Sequence, residues 1–490
     1  MKAWILNPPF LRKYSRPQRS PAVTKSGTIY FPIWLAYCAG VLEKAGHEVA
    51  LTDAPARGIA LDEVLGEAKK IGPGLIVMDT STPSIENDIW VAERLKKILP
   101  TSFIVMVGTH ASAVPQETLS KSSSIGAIAR REYENTVLEL ASLLDRGGVF
   151  LPEGEKLRDI AGLSFRSGNE IVHNPDRPYM EDLDHLPWVS GVYRKHLSIG
   201  DYFNQNALYP MVTLITSRGC PFRCSFCLYP QVLTGRRYRL RSIDDVVDEI
   251  EYVEREFPEA RSIFFEDDTL TVNKKRCIDF ADAIIKRGVK IPWIANSRVD
   301  LDLETMLKMR EAGCRELCVG FESGDQDALN SIKKGTEIGR MFGFVKDARA
   351  ANILIHGCFM LGFPGDTKKS CQRTIDLALK LNPDTVQFYP VMVYPGTEAY
   401  EEYVKRGWLT TRDYTQWITP EGLHSCVVRN ETLAPEELVR LCDYGRRRFY
   451  LRPRYMYYKA LQMAKEPSDI IRTAKAARVF FRHLFLGSKV

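Results

Sequence analysis

The sequence has no run of about 18 apolar residues, the length a helix needs to cross a bilayer, so no segment is expected to span a membrane. Nor does the amino terminus read as a secretory leader, because the apolar run Ala3–Leu6 ends at Asn7-Pro8-Pro9. No G-x-G-x-x-G and no P-loop appears, which leaves a dinucleotide or nucleoside triphosphate without support. Eight of the eleven cysteines (Cys38, Cys277, Cys314, Cys318, Cys358, Cys371, Cys426 and Cys442) are scattered without a disulfide-like pattern, which points to a reducing interior. What remains is an ordinary soluble composition, 45% apolar and 26% charged, in a chain of 490 residues. That length is too great for one core and predicts two or three domains.

The other three cysteines are not scattered. Thr216-Ser-Arg-Gly-Cys220-Pro-Phe-Arg-Cys224-Ser-Phe-Cys227 follows the β-branched run Val212–Thr216, so the thiols leave a strand on one short loop. Thiolates this close converge on one soft metal centre. Four would close a zinc or ferredoxin-type site, whereas three leave an open position where chemistry can occur. The bland alternative is three unrelated buried thiols. The CxxxCxxC spacing, with Phe226 before the last cysteine, resembles the signature of the radical S-adenosylmethionine (SAM) superfamily. The resemblance implies a [4Fe–4S] cluster on Cys220, Cys224 and Cys227 with SAM on its fourth iron.

Residues 1–150 alternate strands and helices: a strand at Ala3–Leu6, a helix from Pro32 to Ala45, then strands at His47–Asp53, Leu75–Met78 and Phe103–Val107. This predicts a doubly wound parallel sheet, which binds ligands beyond the carboxyl ends of its strands. Those ends carry Asn7-Pro8-Pro9, Asp53, Asp79-Thr80-Ser81-Thr82 and Gly108-Thr109-His110. Lying ahead of the cysteine triplet, the domain resembles the cobalamin-binding domain of cobalamin-dependent radical SAM proteins. The resemblance rests on the strand into Asn-Pro-Pro, on Pro32-Ile-Trp-Leu-Ala-Tyr37-Cys-Ala-Gly40 and on Gly108-Thr109-His110. It implies cobalamin against Asn7, Pro8, Asp53, Thr80, Gly108 and His110. Two departures stand out. No histidine has the Asp-x-His-x-x-Gly context that ligates cobalt, which disfavours a histidine ligand. Where relatives often carry Gly-Glu-x-Glu, this chain has Arg131-Glu132-Tyr133-Glu134. A flavodoxin-like domain without a cofactor is the alternative.

Residues 151–205 read as a linker that wraps between domains and includes short strands, Gly162–Arg166 among them. From 206 to 400 about six βα units follow, a partial (β/α)6 TIM-type barrel with its active face at the strand ends. By resemblance, Glu266 and Asp267 would meet the methionyl amino group of SAM, Arg298 its carboxylate, and Glu322-Ser323-Gly324 its ribose. Cys314 and Cys318 read as buried structural thiols.

From residue 446 onward twelve basic residues face only Glu466 and Asp469, a balance of +10, so the first 445 residues sum to −4 against a total of +6. Residues 401–490 are expected to form a helical, basic tail. Within it 470–486 has a basic amphipathic pattern of the kind that lies on anionic membranes; docking on the barrel is the alternative, and no RNA-binding fold is readable, so nucleic acid is not an expected partner. The fold class is thus α/β: a Rossmann-like sheet, a partial barrel and an α-helical tail. The expected enzyme is cytoplasmic, with peripheral contact on the inner membrane face through that tail. Its expected partners are a small-molecule or lipid-like substrate and an external one-electron reductant of flavodoxin or ferredoxin type. The resemblance extends to the group of phosphonate methylases, the anaerobic Mg-protoporphyrin oxidative cyclase and hopanoid-modifying enzymes. It implies a 5′-deoxyadenosyl radical that functionalises an unactivated carbon, with C-methylation first. Radical cyclisation, ring contraction or oxidation of a lipid-like or tetrapyrrole substrate is second, and a corrinoid and iron–sulfur sensor third.

Overall fold

The computed structural model describes residues 1–147 and 154–465. Its first sheet holds β1 (Lys2–Asn7), β2 (Glu48–Asp53), β3 (Leu75–Thr80), β4 (Phe103–Gly108), β5 (Ala127–Ala129), β6 (Leu163–Ser167) and β7 (Glu170–His173), in the order β2-β1-β3-β4-β5-β6-β7. The strands β1 to β5 are parallel. Burial on both faces explains why β3 and β4 are nearly unbroken apolar runs. The order 2-1-3-4-5 places its topological switch between β1 and β3, where the loops part and leave a crevice.

β6 and β7 run antiparallel on the far edge of this sheet. The stretch expected as a linker over 151–205 therefore contributes two strands to the first domain. Arg130 secures them: its guanidinium donates to the carbonyls of Leu163 (3.0 Å) and Asn174 (2.6 Å) and to Asp176 (2.9 Å).

The second sheet holds β8 (Met211–Leu214), β11 (Ser262–Phe265), β12 (Trp293–Ser297), β13 (Cys314–Glu322), β14 (Leu354–Leu361) and β15 (Thr385–Pro390), all parallel and in sequence order. Between β8 and β11 a short hairpin pairs β9 (Ser217–Arg218) with β10 (Arg239–Leu240) and encloses the cysteine loop. The helices between strands start at expected caps; the Ser242 hydroxyl accepts from Asp245 N–H at 3.2 Å. β8 and β15 are the two edges, so this is an open, six-stranded barrel. The helix Pro435–Tyr450 packs on β15 and β14, burying Leu438, Cys442 and Phe449. The helix Pro453–Lys465 follows; the amphipathic segment 470–486 lies outside the described residues. No described helix is long and apolar enough to cross a membrane.

The carboxyl ends of the two sheets face each other. Between them runs an irregular strap, residues 8–31. Tyr229, in the helix Leu228–Val232 after the cysteines, donates to the Pro17 carbonyl at 2.5 Å and meets Trp34 edge-on at 6.0 Å.

Candidate functional site

The cysteine loop is fixed by backbone contacts. Gly219 has φ +85°, and a Cβ there would lie 2.1 Å from the Arg237 carbonyl oxygen, so only glycine turns this corner. Ser225 N–H donates to Ile332 O at 3.0 Å, and the Gln231 amide holds the carbonyls of Ser225 and Cys227. Cys220 and Cys224 are buried and Cys227 is half-buried. Burial first, then Asp268 and Cys224, raises the Cys227 thiol, and burial and Asp268 raise Cys220. Such thiols ionise in place when positive iron compensates the charge. Among the described residues no three His, Cys, Asp or Glu groups converge as on a single ion. The donor set of three cysteines fits a [4Fe–4S] group with one iron free.

The carboxylates expected around SAM separate into two kinds. Glu266, at the end of β11, is buried, and its Oε2 has no hydrogen-bond partner. Burial pushes its carboxyl up to about 7 despite Arg19, whose guanidinium donates to Oε1 at 2.5 Å. Glu322 ends β13 past a break in register, at φ +64°, and pairs with buried Lys334 at 2.8 Å. A non-glycine residue at such φ is strained, which is characteristic of sites that aim a side chain. Burial alone would lower Lys334, yet Glu322 and Cys224 raise it.

Asp267 and Ser323 behave differently. The Asp267 carboxylate accepts from Thr216 N–H (3.1 Å), Thr216 Oγ1 (2.8 Å) and Ser217 Oγ, so it ties β11 to the strand that carries the cysteines. The Ser323 hydroxyl meets Thr374 Oγ1 at 3.2 Å and Gly324 N–H donates to that same oxygen at 2.9 Å, which joins β13 to the helix Lys368–Leu381. Arg298 does not offer a free fork for a carboxylate. It stacks 3.7 Å over the Phe222 ring, donates to Lys334 O (2.7 Å) and Thr336 Oγ1 (3.1 Å), and brings Nη1 3.9 Å from Cys224 Sγ. These three residues hold the cysteine loop and its neighbours in place.

Inside the barrel, side chains alternate by strand periodicity. Phe321, Phe359 and Phe388 stack at 5.4 Å spacings under the outer helices. Cys318, Cys358, Met360, Gln387 and Tyr389 occupy the other face and are only half-buried. Cys318 is therefore not a core thiol like Cys314; it lines the barrel interior, 3.5 Å from Asn206 Nδ2.

On the first sheet, Asn7 donates to Asp53 Oδ1 (2.9 Å), which also receives Ala56 N–H, while Tyr202 donates to Oδ2 at 3.1 Å. Burial raises Asp53 to about 6 and the neighbouring Asp79 to about 7. Thr80 Oγ1 donates to Val107 O at 2.6 Å. Gly108 (φ +97°) would place a Cβ 2.3 Å from Asp79 Oδ1, so the chain turns flat across the strand ends. His110 is buried, with Nδ1 3.2 Å from Thr82 Oγ1 and Nε2 unpartnered; burial lowers it to about 3, so it is neutral. The Pro8 carbonyl accepts from Arg16 at 2.7 Å. Arg16 also donates to Asn7 Oδ1 (2.8 Å) and to Asp88 (2.5 Å), so the strap seats a cation in the switch-point crevice. A glycine-floored crevice with orphaned polar atoms at His110 and at Thr109 Oγ1 suits a large ligand rich in amide groups.

The domain models match in the same order. Residues 19–141 match the B12 binding domain and residues 214–378 the radical SAM superfamily. The chain is 31% identical over 441 residues to a Pyrococcus horikoshii protein named as an uncharacterized methyltransferase, covering 90% of this chain and 92% of that one. It belongs to the cobalamin-binding radical SAM family. It is 27% identical to the anaerobic magnesium-protoporphyrin IX monomethyl ester cyclase of Cereibacter sphaeroides, over 87% of this chain and 68% of that protein. Its fold is that of the radical SAM methyltransferase TsrM from Kitasatospora setae: TM-score 0.68, 17% identity, covering 90% of this chain and 88% of the other. The cofactors of this family member are a [4Fe–4S] cluster, SAM and cobalamin.

For a member of this family, the residues that join the two cofactor domains matter as much as those that line them, and sequence reasoning passed over them. Arg218, two residues before Cys220, is fully buried; it donates to Glu134 at 2.7 Å and lies 5.0 Å from the Trp34 ring and 4.7 Å from that of Tyr37. Arg239 donates to both oxygens of Glu132, at 2.8 and 2.6 Å. Glu132 and Glu134 thus clamp the cysteine hairpin to the cobalamin domain. The unusual Arg131 keeps the left-handed backbone that a glycine would adopt, φ +61°, and its side chain pairs with Asp176 at 2.7 Å. The only signals in sequence were the departure at Arg131 and the arginine ahead of Gly219.

Proposed function

We propose that this enzyme methylates an unactivated carbon of a small-molecule or lipid-like substrate held in the barrel interior. The observation that supports the reading is the clamp: Arg218–Glu134 and Arg239–Glu132 tie the hairpin that carries the cysteines directly to the domain that matches B12 binding. When bound, the cluster with SAM supplies a carbon-centred radical and cobalamin a methyl group. Cys220, Cys224 and Cys227 are assigned to the cluster. Glu266 is assigned to the SAM ammonium, which suits a buried carboxyl with one free oxygen, and Glu322 to its ribose hydroxyls. Arg298, Asp267, Ser323 and Gly324 position these groups. Asn7, Pro8, Asp53, Thr80, Gly108 and His110 are assigned to the corrin. Neutral His110, with Nε2 free, suits an amide side chain of the ring. Arg19 of the strap, bonded to Glu266 Oε1 and the Asp267 carbonyl, covers Glu266 from the side of the first domain. Cys358, Met360, Gln387 and Tyr389 line the substrate's end, a mixed apolar and hydrogen-bonding surface.

An external one-electron reductant of flavodoxin or ferredoxin type completes the system, in the cytoplasm, with the basic carboxy-terminal region as the part that touches a membrane. The same barrel interior would serve radical ring closure or oxidation, a second reading favoured by the cyclase relative. Anaerobic turnover with methyl-labelled SAM, followed by mass spectrometry of extracted lipids and tetrapyrroles, separates the two. A labelled methyl carbon in a product supports methylation; 5′-deoxyadenosine with no labelled product overturns it in favour of the second reading.

A further inference from the structure

Ten large apolar or aromatic side chains are strongly exposed among the described residues, and six of them (Tyr444, Leu451, Met456, Tyr457, Tyr458 and Leu461) fall within 18 positions near the end of the chain. Single exposed apolar residues are ordinary, whereas a contiguous patch marks a surface that meets something apolar. The helix Pro453–Lys465 explains the grouping. Its inner side is anchored by Tyr455, whose hydroxyl donates to Asp384 O at 2.9 Å and whose ring meets Phe449 at 5.1 Å. Arg454, Tyr457 and Leu461, spaced i, i+3 and i+7, share one stripe pointing away from the barrel. Tyr457 is 68% exposed.

The charge along this stretch of chain has one sign, with Asp384, which receives the Tyr458 hydroxyl at 2.8 Å, and Asp443, paired with Arg446, at its border. From Tyr444 to Leu461 the chain carries Arg446, Arg447, Arg448, Arg452, Arg454 and Lys459, and neither Asp nor Glu. Arg448 donates to Tyr444 Oη at 2.8 Å, and the Lys459 ammonium lies 5.9 Å from the rings of Tyr455 and Tyr458, so cations and aromatic rings interleave. Tyrosines and long basic side chains over an aliphatic stripe form the composition of a membrane-interface surface, the rings entering the headgroup layer and the cations meeting lipid phosphate. The basic residues of 466–490 continue the same sign.

We propose that this stripe, Arg454, Tyr457 and Leu461, together with the exposed Met456, Leu451 and Tyr444 that adjoin it in sequence, is the face on which the enzyme sits on an anionic lipid surface. The inference deepens the peripheral contact proposed above by assigning it to a folded face packed on the barrel, not to the segment 470–486 alone.

The test is flotation of the full chain with vesicles of equal phosphatidylcholine and phosphatidylglycerol, against pure phosphatidylcholine. Three proteins are compared: the natural chain, a Met456→Ser/Tyr457→Ser/Leu461→Ser form, and an Arg472→Gln/Lys475→Gln/Arg478→Gln/Arg482→Gln form. The natural chain is expected to float with the anionic vesicles alone. The stripe variant should bind at least about tenfold less, from the apolar area lost, with SAM cleavage and thermal midpoint unchanged. The tail variant should bind less but still float. Flotation abolished by the tail variant and untouched by the stripe variant would overturn the proposal while leaving peripheral contact intact; no flotation by any form removes both. A dimer in the natural chain that the stripe variant dissolves, or a drop in its thermal midpoint without loss of flotation, would assign the stripe to another copy or to the chain's own packing and equally overturn it.

Discussion

Replacing Arg218 with methionine tests the clamp. The change keeps the length of the side chain between Trp34 and Tyr37 but leaves Glu134, itself buried, without its 2.7 Å partner. Breaking a buried pair from one side costs about 3–5 kcal/mol, and losing the cation between two rings adds up to about 2 kcal/mol that is not simply additive. Glu134→Gln alone should cost less, about 1–3 kcal/mol, because the guanidinium loses its 2.7 Å partner but keeps Glu132 at 3.7 Å. The double variant should cost at least about 1 kcal/mol less than the two singles together, because neither charge is then left over. Urea unfolding of the apoprotein, followed by tryptophan emission, measures all three. Activity adds a second readout: iron content should persist in Arg218→Met while product formation falls more than SAM cleavage. Single changes each below about 1 kcal/mol, or strictly additive ones, would refute the clamp.

Replacing Cys220, Cys224 and Cys227 with alanine should remove about four irons per chain and all 5′-deoxyadenosine, since the three thiolates are the cluster's protein ligands; retained cleavage would contradict the assignment. Gly108→Ala should abolish corrin absorbance after reconstitution while leaving iron content intact, because its Cβ would collide with Asp79 and the Thr80 backbone. Asp79 is raised from 3.8 to about 7 by burial, so its contribution to stability is present below about pH 4 and lost as pH rises through about 7. The advantage of Asp79→Asn over the natural apoprotein should therefore grow between those limits, and a pH-independent difference in urea midpoint would count against it.

The features legible in sequence were those encoded locally. The parallel strands declare themselves because burial on both faces demands unbroken apolar runs such as Leu75–Met78, and the cysteine spacing is dictated by the cluster. Strand-end acids are a harder case. Glu266 and Asp267 are neighbours of the same type, yet one keeps a buried oxygen without a partner and the other bonds Thr216 and Ser217, about fifty positions earlier in the chain. Nothing local separates them. Glu134 likewise finds its meaning in Arg218, 84 positions away. The strap was illegible for another reason: residues 8–31 have no periodicity, and their order comes from Arg16 reaching Asp88 in the helix Ile85–Ile98 and Arg19 reaching Glu266 just past β11. The strand β6 was legible as Gly162–Arg166, but its membership of the first sheet was not, because that rests on pairing with β5 more than thirty positions earlier.

With the Arg218 and Arg239 clamps in place, the two metal centres would lie close enough to interact. Electron paramagnetic resonance of the fully reconstituted enzyme, with the cluster reduced and cobalamin in its cob(II) state, tests it directly. Magnetic interaction should broaden both signals in the natural chain and weaken in Arg218→Met. Two sharp, independent signals from the natural enzyme would contradict the claim.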